Sequence, residues 1–366
     1  VTNYIPNPTG SYAVGVQHLF LTNQAKDPLT GSATRAVTVN AFYPTSTTGT
    51  SAKYLSDNTS KDTTMAADNA QGFDGTFNYY FSQSSTMYPR IHAIPIQAIT
   101  NAAPRTDLGK LPVVILSPGF GVGGSFHTAV AQELASQGFV ALILSVTWES
   151  IATETSSGVA AQNVNAVNNQ WQKCLDARVQ DMTFVLNQLS SLGANGNIGA
   201  IIDTSRVGLA GHSYGGYTAM QIAYSDTRAT SVLCLDAPCG WPNTTSSAQN
   251  GGLPNKQPVF LLSTPNGVNG DGHASWQGFE AQPHGPFWIA EIAGTLHTAL
   301  TDLAVVEPNT ATFVGTIAPA RAVAVTNAYV LDFFDMTLRR GSGTLISGPN
   351  SNYSEVTFVL SQPNGN

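Results

Sequence analysis

The sequence predicts an α/β protein: a mostly parallel central sheet with helices on both faces and surface insertions. Two observations predict it. Short runs of consecutive apolar residues recur, such as Val113-Val114-Ile115-Leu116, and such runs mark strands buried on both faces. Between them lie stretches with apolar residues at helical spacing, such as Val179, Met182, Val185, Leu186 and Leu189. Alternating strand and helix patterns specify a parallel sheet covered by its own helices, and such sheets take ligands beyond the carboxyl ends of their strands. A length of 366 residues suits two domains or one decorated domain. A single domain over 1–366 is expected, with a polar insertion at about 56–105 and lid or pocket insertions at about 148–170 and 239–285.

In chain order, segments 14–21 and 35–43 alternate in polarity and read as antiparallel strands at a sheet edge, parted by the Asp27-Pro28 turn. Residues 56–105 are rich in Ser, Thr, Asn and Asp and show neither period, so they read as a surface insertion. From Leu111 the pattern changes. A strand at 113–116 leads into the glycine turn Ser117-Pro118-Gly119-Phe120-Gly121, a helix over 126–137 and a buried strand at 139–146. Small polar residues at 156–170 read as a loop before a long helix over 171–192. There follow a strand at 206–210, a helix from about 215 through 224, strands at 230–235 and 258–262, and a strand-like run Ile289-Ala290-Glu291-Ile292-Ala293-Gly294.

At 42% hydrophobic and 10% charged residues, the chain is globular, and its surface must be covered by Ser, Thr, Asn, Gln and Gly rather than by ions. A net charge of −7 without a Lys/Arg cluster argues against nucleic acid or anionic lipid as a partner, since both need concentrated basic residues. No apolar run approaches a membrane span, so no transmembrane segment is expected; transient contact with a lipid surface stays open. The start Val1-Thr2-Asn3 reads as a processed end, and Asn58-Thr59-Ser60, Asn243-Thr244-Thr245 and Asn352-Tyr353-Ser354 are glycosylation acceptors. A secreted, extracellular protein is therefore expected. Three cysteines allow one bridge at most: Cys234 and Cys239 are nearest, and two small buried thiols are the other reading. C-x-x-C spacing is absent, and no metal or organic cofactor is implied.

The stretch Gly211-His212-Ser213-Tyr214-Gly215-Gly216 carries the chemistry. G-x-S-x-G alone is weak, but here it joins an expected strand to an expected helix, the sharp turn the motif requires. Gly211 and Gly215 let neighbouring backbone approach while Ser213 is presented above the sheet. The Tyr214 N–H, at the start of a helix, suits an oxyanion, and the glycine turn after the earlier strand supplies a second donor, nominated as the Phe120 N–H. Ser213 needs a base, and in α/β-hydrolases the chain order is serine, acid, histidine. His273, His284 and His297 follow Ser213. His297 lies after a strand-like run and before a helical start, whereas His273 and His284 read as solvated loop histidines, and His212 as facing away beneath the turn. For the acid, Asp236 directly follows a strand and Asp271 follows a flexible glycine loop; the better anchored Asp236 is favoured and Asp271 is the alternative. Asp302 reads as a local cap or pairing residue.

These residues resemble the platelet-activating factor acetylhydrolases of the plasma and intracellular type II kind, especially their secreted fungal relatives. The resemblance runs through Pro8 to Gly15, Ala41-Phe42-Tyr43-Pro44, Leu111 to Gly121, Glu133 to Gly138, Arg178-Val179-Gln180-Asp181, Gly211 to Gly216, Leu235-Asp236-Ala237 and His297-Thr298-Ala299-Leu300-Thr301-Asp302. It implies an α/β-hydrolase fold, a triad of Ser213, Asp236 and His297, and oxyanion donors at Phe120 and Tyr214. The strand end Ser145 to Ser150 departs from relatives that carry an acidic residue and a His there.

Trp148, Trp241, Trp276 and Trp288 fall in expected connections, and Trp148 with Trp241 is the expected pair at the mouth of an apolar substrate pocket. The reading is a secreted serine carboxylesterase, lipase-like, acting on short-acyl or lipid esters, phospholipid acetyl esters among them, through an acyl-enzyme on Ser213. A polyester or cutin hydrolase on the same fold is one alternative, and a binding protein that retains the hydrolase fold without catalysis is another.

Overall fold

A computed structural model of the chain describes residues 4–55, 91, 94–156, 158–306 and 313–366. An eleven-stranded mixed sheet runs through it, in the order β13-β12-β11-β10-β9-β5-β6-β2-β1-β4-β3. Its strands are β1 (Ala13–Asn23), β2 (Arg35–Thr45), β3 (Ser51–Lys53), β4 (Pro95–Thr100), β5 (Leu111–Ser117), β6 (Val140–Ser145), β9 (Ile202–His212), β10 (Ala229–Leu235), β11 (Val259–Ser263), β12 (Phe287–Ile292) and β13 (Val356–Gln362). The block from β6 through β5, β9, β10 and β11 to β12 is parallel, while β2 joins β6 antiparallel and β13 joins β12 antiparallel. A separate antiparallel ribbon pairs β7 (Ala152–Thr155) with β8 (Gly158–Ala161).

Residues alternate between two cores along each strand, as the period of two requires. On one face Val114, Leu116, Ala210, Leu233 and Phe260 pack against helices α1 (Thr128–Ser136) and α5 (Pro319–Arg339). On the other face Val113, Ile115, Leu209, Val232 and Leu261 pack against α2 (Trp171–Gln188), α3 (Tyr214–Ser225) and α4 (Ala274–Glu280). Both faces are thus covered, which accounts for the all-apolar strands. Because the chain lays β6 on one side of β5 and β9 on the other, the strand order reverses between β5 and β9, and a crevice opens beyond their carboxyl ends.

Several expectations are corrected. The first two strands are not an edge: β4 lies beside β1 and β3 beyond it. β4 falls within the expected polar insertion, where Ile94, Ile96, Ala98 and Ala102 are buried; residues 56–90, 92 and 93, with the Asn58 acceptor, lie outside the described residues. The loop expected at 156–170 contains β8 and a helical turn, Val164–Val167. The stretch 239–285 holds β11, at the strand expected over 258–262, and also α4. Cys174, Cys234 and Cys239 are free, buried thiols. Among the described residues no helix is long and apolar enough to cross a membrane.

Candidate active site

Ser213 is the residue between β9 and α3, at φ 54° and ψ −125°. A side chain at positive φ is strained, and the surroundings hold it there. Ser213 N–H donates to Leu235 O at 2.9 Å, and Ser213 O accepts from the N–H groups of Gly216 and Tyr217 at 3.0 and 3.2 Å. The glycines are needed for contact rather than flexibility: a Cβ on Gly211 would lie 2.2 Å from the Gly215 carbonyl carbon, and one on Gly215 would lie 2.0 Å from Ser117 O. Tyr214 opens α3, so its N–H has no acceptor within the helix and bears the positive end of the helix dipole.

Asp236 also takes a positive φ, 41°, one residue past β10. The end of β11 grips one oxygen, Oδ1: it accepts from Ser263 Oγ at 2.6 Å, Thr264 N–H at 3.0 Å and Thr264 Oγ1 at 2.9 Å. Oδ2 meets His297 Nδ1 at 2.5 Å. Burial raises the Asp236 carboxyl, but the bonds from His297, Ser263 and Thr264 outweigh it and bring the pKa down to about 2. With Nδ1 held by a carboxylate, the ring offers Nε2 to any proton donor in front of it. The alternative acid, Asp271, is exposed and accepts from the His273 N–H at 3.0 Å.

Ser213 and His297 line one cavity of about 170 Å³ with Gly119, Phe120, Gly121, Val122, Ile151, His212, Thr298, Thr301 and Leu303. Phe120 comes from the loop after β5, as expected, and Trp148 and Trp241 are not in this lining. Both Trp residues belong instead to a neighbouring aromatic group with Phe120, Trp171 and Tyr214. Ring centroids lie 4.8 Å apart for Phe120 and Trp171, 5.1 Å for Trp171 and Trp241, and 4.9 Å for Tyr214 and Trp241. Trp276 sits inside α4, where its Nε1 donates to Ala237 O at 2.7 Å, and Trp288 lies on β12; both are buried and neither is in a connection.

The other histidines differ from their reading. His212 does not face away. Its ring lines the cavity, lies 4.5 Å from the His297 ring and donates from Nε2 to His297 O at 2.9 Å. Burial, then the nearby His297 and His127, push the His212 pKa well below the ordinary value, so it stays neutral and keeps a competing charge away from His297. His273 and His284 are buried, not solvated; His284 Nδ1 bonds Gly285 O at 2.6 Å and its ring stacks on Phe279.

Sequence reasoning singled out neither Arg178 nor Glu149 as functional, although Arg178 fell within a resembling segment. Both are buried beneath the loop that carries Phe120. The one local signal was a charged residue among the apolar positions of α2. Asp302 caps two helices: its carbonyl accepts from Val305 and Val306 N–H in the turn it precedes, and its carboxylate oxygens accept from Ala129 N–H, at the start of α1, at 3.2 Å.

The family model described as "Platelet-activating factor acetylhydrolase, isoform II" matches residues 2–190 and 194–341. A protein of Arthroderma benhamiae named "Probable 1-alkyl-2-acetylglycerophosphocholine esterase" is 25% identical over 276 residues, covering 69% of this chain and 67% of that protein. The "Platelet-activating factor acetylhydrolase" of Gallus gallus is 22% identical over 301 residues, covering 71% of this chain and 65% of its own length. The chain thus spans about two thirds of these relatives. Among solved structures, a ferulic acid esterase from Streptomyces cinnamoneus superposes with a TM-score of 0.79 at 25% identity, over 97% of this chain and 99% of the other.

Proposed function

Because the chain belongs to the platelet-activating factor acetylhydrolase, isoform II, family and has the α/β-hydrolase architecture, we propose that it is a serine carboxylic ester hydrolase working through an acyl-enzyme on Ser213. The observation that carries the reading is the His297 ring held by Asp236 in the same cavity as Ser213. Ser213 Oγ attacks the ester carbonyl while His297 Nε2 takes its proton. Asp236, already ionised, stabilises the imidazolium, and the N–H groups of Phe120 and Tyr214 receive the oxyanion. The proton passes to the leaving alcohol, and water repeats the sequence to free the acid and Ser213.

The substrate reading is an ester with a short acyl group, including the acetyl ester of a phospholipid. A cavity of about 170 Å³ is smaller than the roughly 300–1,000 Å³ of sites that enclose a drug-sized ligand, so it suits a small acyl group with the alcohol part outside. The aromatic group of Phe120, Trp171 and Trp241 favours a second reading, an aromatic or polyester substrate. A chain-length series of p-nitrophenyl esters, run beside an acetylated phospholipid and a polyester, separates them. The first reading expects kcat/KM to fall by about tenfold or more beyond four acyl carbons, each excluded methylene costing about 1–3 kcal/mol. Preference for long chains would contradict it, and hydrolysis of the polyester alone would favour the second. The low-charge surface and the exposed Asn243 and Asn352 support an extracellular location. Sugar on either asparagine of native material would bear this out; a bare chain in the cell extract would contradict it.

A further inference from the structure

Arg178 projects from α2 with none of its side chain exposed, and all of its N–H groups are used. Nε donates to Glu149 Oε2 at 2.8 Å; Nη1 donates to Ser117 Oγ at 2.9 Å and Pro118 O at 2.7 Å. Nη2 donates to Gly119 O at 3.1 Å and to Glu149 Oε1. A guanidinium has five N–H groups, and here each meets an acceptor. An ion pair buried this deeply is a weak source of stability, because apolar residues of similar volume often serve as well; its geometry must account for it.

That geometry points at the oxyanion site. Gly119 O and the Phe120 N–H are opposite ends of one planar, trans peptide group. Fixing the oxygen fixes the direction of the N–H, and a cation on the oxygen polarises it. The same guanidinium lies 5.2 Å from the centroid of the Tyr214 ring, the side chain of the residue whose backbone N–H is the other nominated donor. Glu149 in turn follows β6 in a turn closed by its own N–H to Val146 O at 3.0 Å, so the backbone that carries this carboxylate is tied close to the end of β6.

We propose that Arg178, held by Glu149, is the positioning residue of the oxyanion site, aiming the Phe120 N–H at the reacting carbonyl oxygen without touching substrate. This rests on the reading of Ser213 as the acylated nucleophile. A purely structural role would lower thermal stability and leave the kinetics of the folded fraction unchanged. The positioning role adds a selective loss in the transition state.

The test is Arg178→Lys and Arg178→Met in the full chain, with kcat and KM on p-nitrophenyl acetate, affinity for a trifluoromethyl ketone, and Tm. The ketone adds to the serine and leaves an oxyanion, so it reports the donors directly. Loss of one aimed donor lowers kcat by about 10²-fold. KM should stay within about threefold, and ketone affinity should fall in parallel with kcat. Glu149→Asp keeps the charge but shortens its reach, and covers the case in which the Arg178 variants do not fold; it should lower kcat by about tenfold at unchanged KM. Variants whose kcat and ketone affinity both stay within about threefold of the parent would overturn the inference alone. A parent without Ser213-dependent hydrolysis would overturn the underlying reading, and this inference with it.

Discussion

Asp236 is buried and yet ionised. Ser263, Thr264 and His297 surround its carboxylate with donors, and they hold its pKa at about 2 against a burial effect that acts upward. On the proposed mechanism the negative charge is therefore in place before His297 takes a proton, and no reorganisation is needed as the imidazolium forms. Folded-state depression also has a sign for stability: the contribution is present above the ordinary carboxyl value of 3.8 and is lost as pH falls towards about 2. Asp236→Asn keeps the shape but presents an amide that stabilises the imidazolium poorly, so kcat on p-nitrophenyl acetate should fall by about 10⁴-fold. Asp271→Asn should leave kcat within about twofold, since surface changes away from such features are usually small. Near-normal turnover in the Asp236 variant would refute the assignment. The sequence favoured Asp236 over Asp271 by anchoring, a strand end against a glycine loop, and by the family resemblance, and the structure sets Asp236 against His297. Nothing local could show that Ser263 and Thr264 would hold the carboxylate from the next strand.

At the scale of the element, α1 begins against a carboxylate 173 positions away. Asp302 accepts from Ala129 N–H at 3.2 Å and from Tyr54 OH at 3.1 Å. Burial nevertheless prevails and raises its pKa to about 7. Between the ordinary value of 3.8 and about 7 the folded chain keeps a proton that the unfolded chain has released, so this group's contribution to stability falls as pH rises through that window. His127, whose pKa burial lowers to about 3, acts the other way below the ordinary histidine value of 6.5. Comparing parent with Asp302→Asn cancels the histidine contribution. Measured by Tm from about pH 4.5 to about pH 8, the parent's advantage over the variant should shrink as pH rises; a constant difference would show that Asp302 is ionised throughout. The sequence marked Asp302 as a local cap or pairing residue, whereas its side chain caps the distant α1. Caps are recognised by nearness along the chain, and this one acts through space. β4 was missed for a related reason: its short alternation sits beside a polar tract, and only its pairing with β1 and β3 makes it a strand.

For the whole molecule, the reversal of strand order between β5 and β9 explains why four chain-distant residues meet. Phe120 follows β5, Ser213 follows β9, Asp236 follows β10, and His297 lies in the connection after β12. All are therefore carried to the carboxyl edge of the sheet, where a crevice is expected from topology. This much was legible because each residue stands just beyond a recognisable apolar strand, in the chain order serine, acid, histidine. The shape of the site was less so. Whether Trp148 and Trp241 line the cavity depends on how separate loops pack, and its apolar lining comes instead from Phe120, Val122, Ile151 and Leu303. Arg178 gave little notice either, since one charged position on a helix does not reveal that it reaches under the loop after β5. The central claim is that this edge assembles a nucleophile at Ser213, activated by His297. Peptide mapping by mass spectrometry after treatment with a fluorophosphonate tests it most directly. One adduct, on Ser213, is predicted, abolished by Ser213→Ala and slowed by about 10³-fold or more in His297→Ala. An unlabelled chain, or an adduct on another residue with Ser213 unmodified, would contradict it.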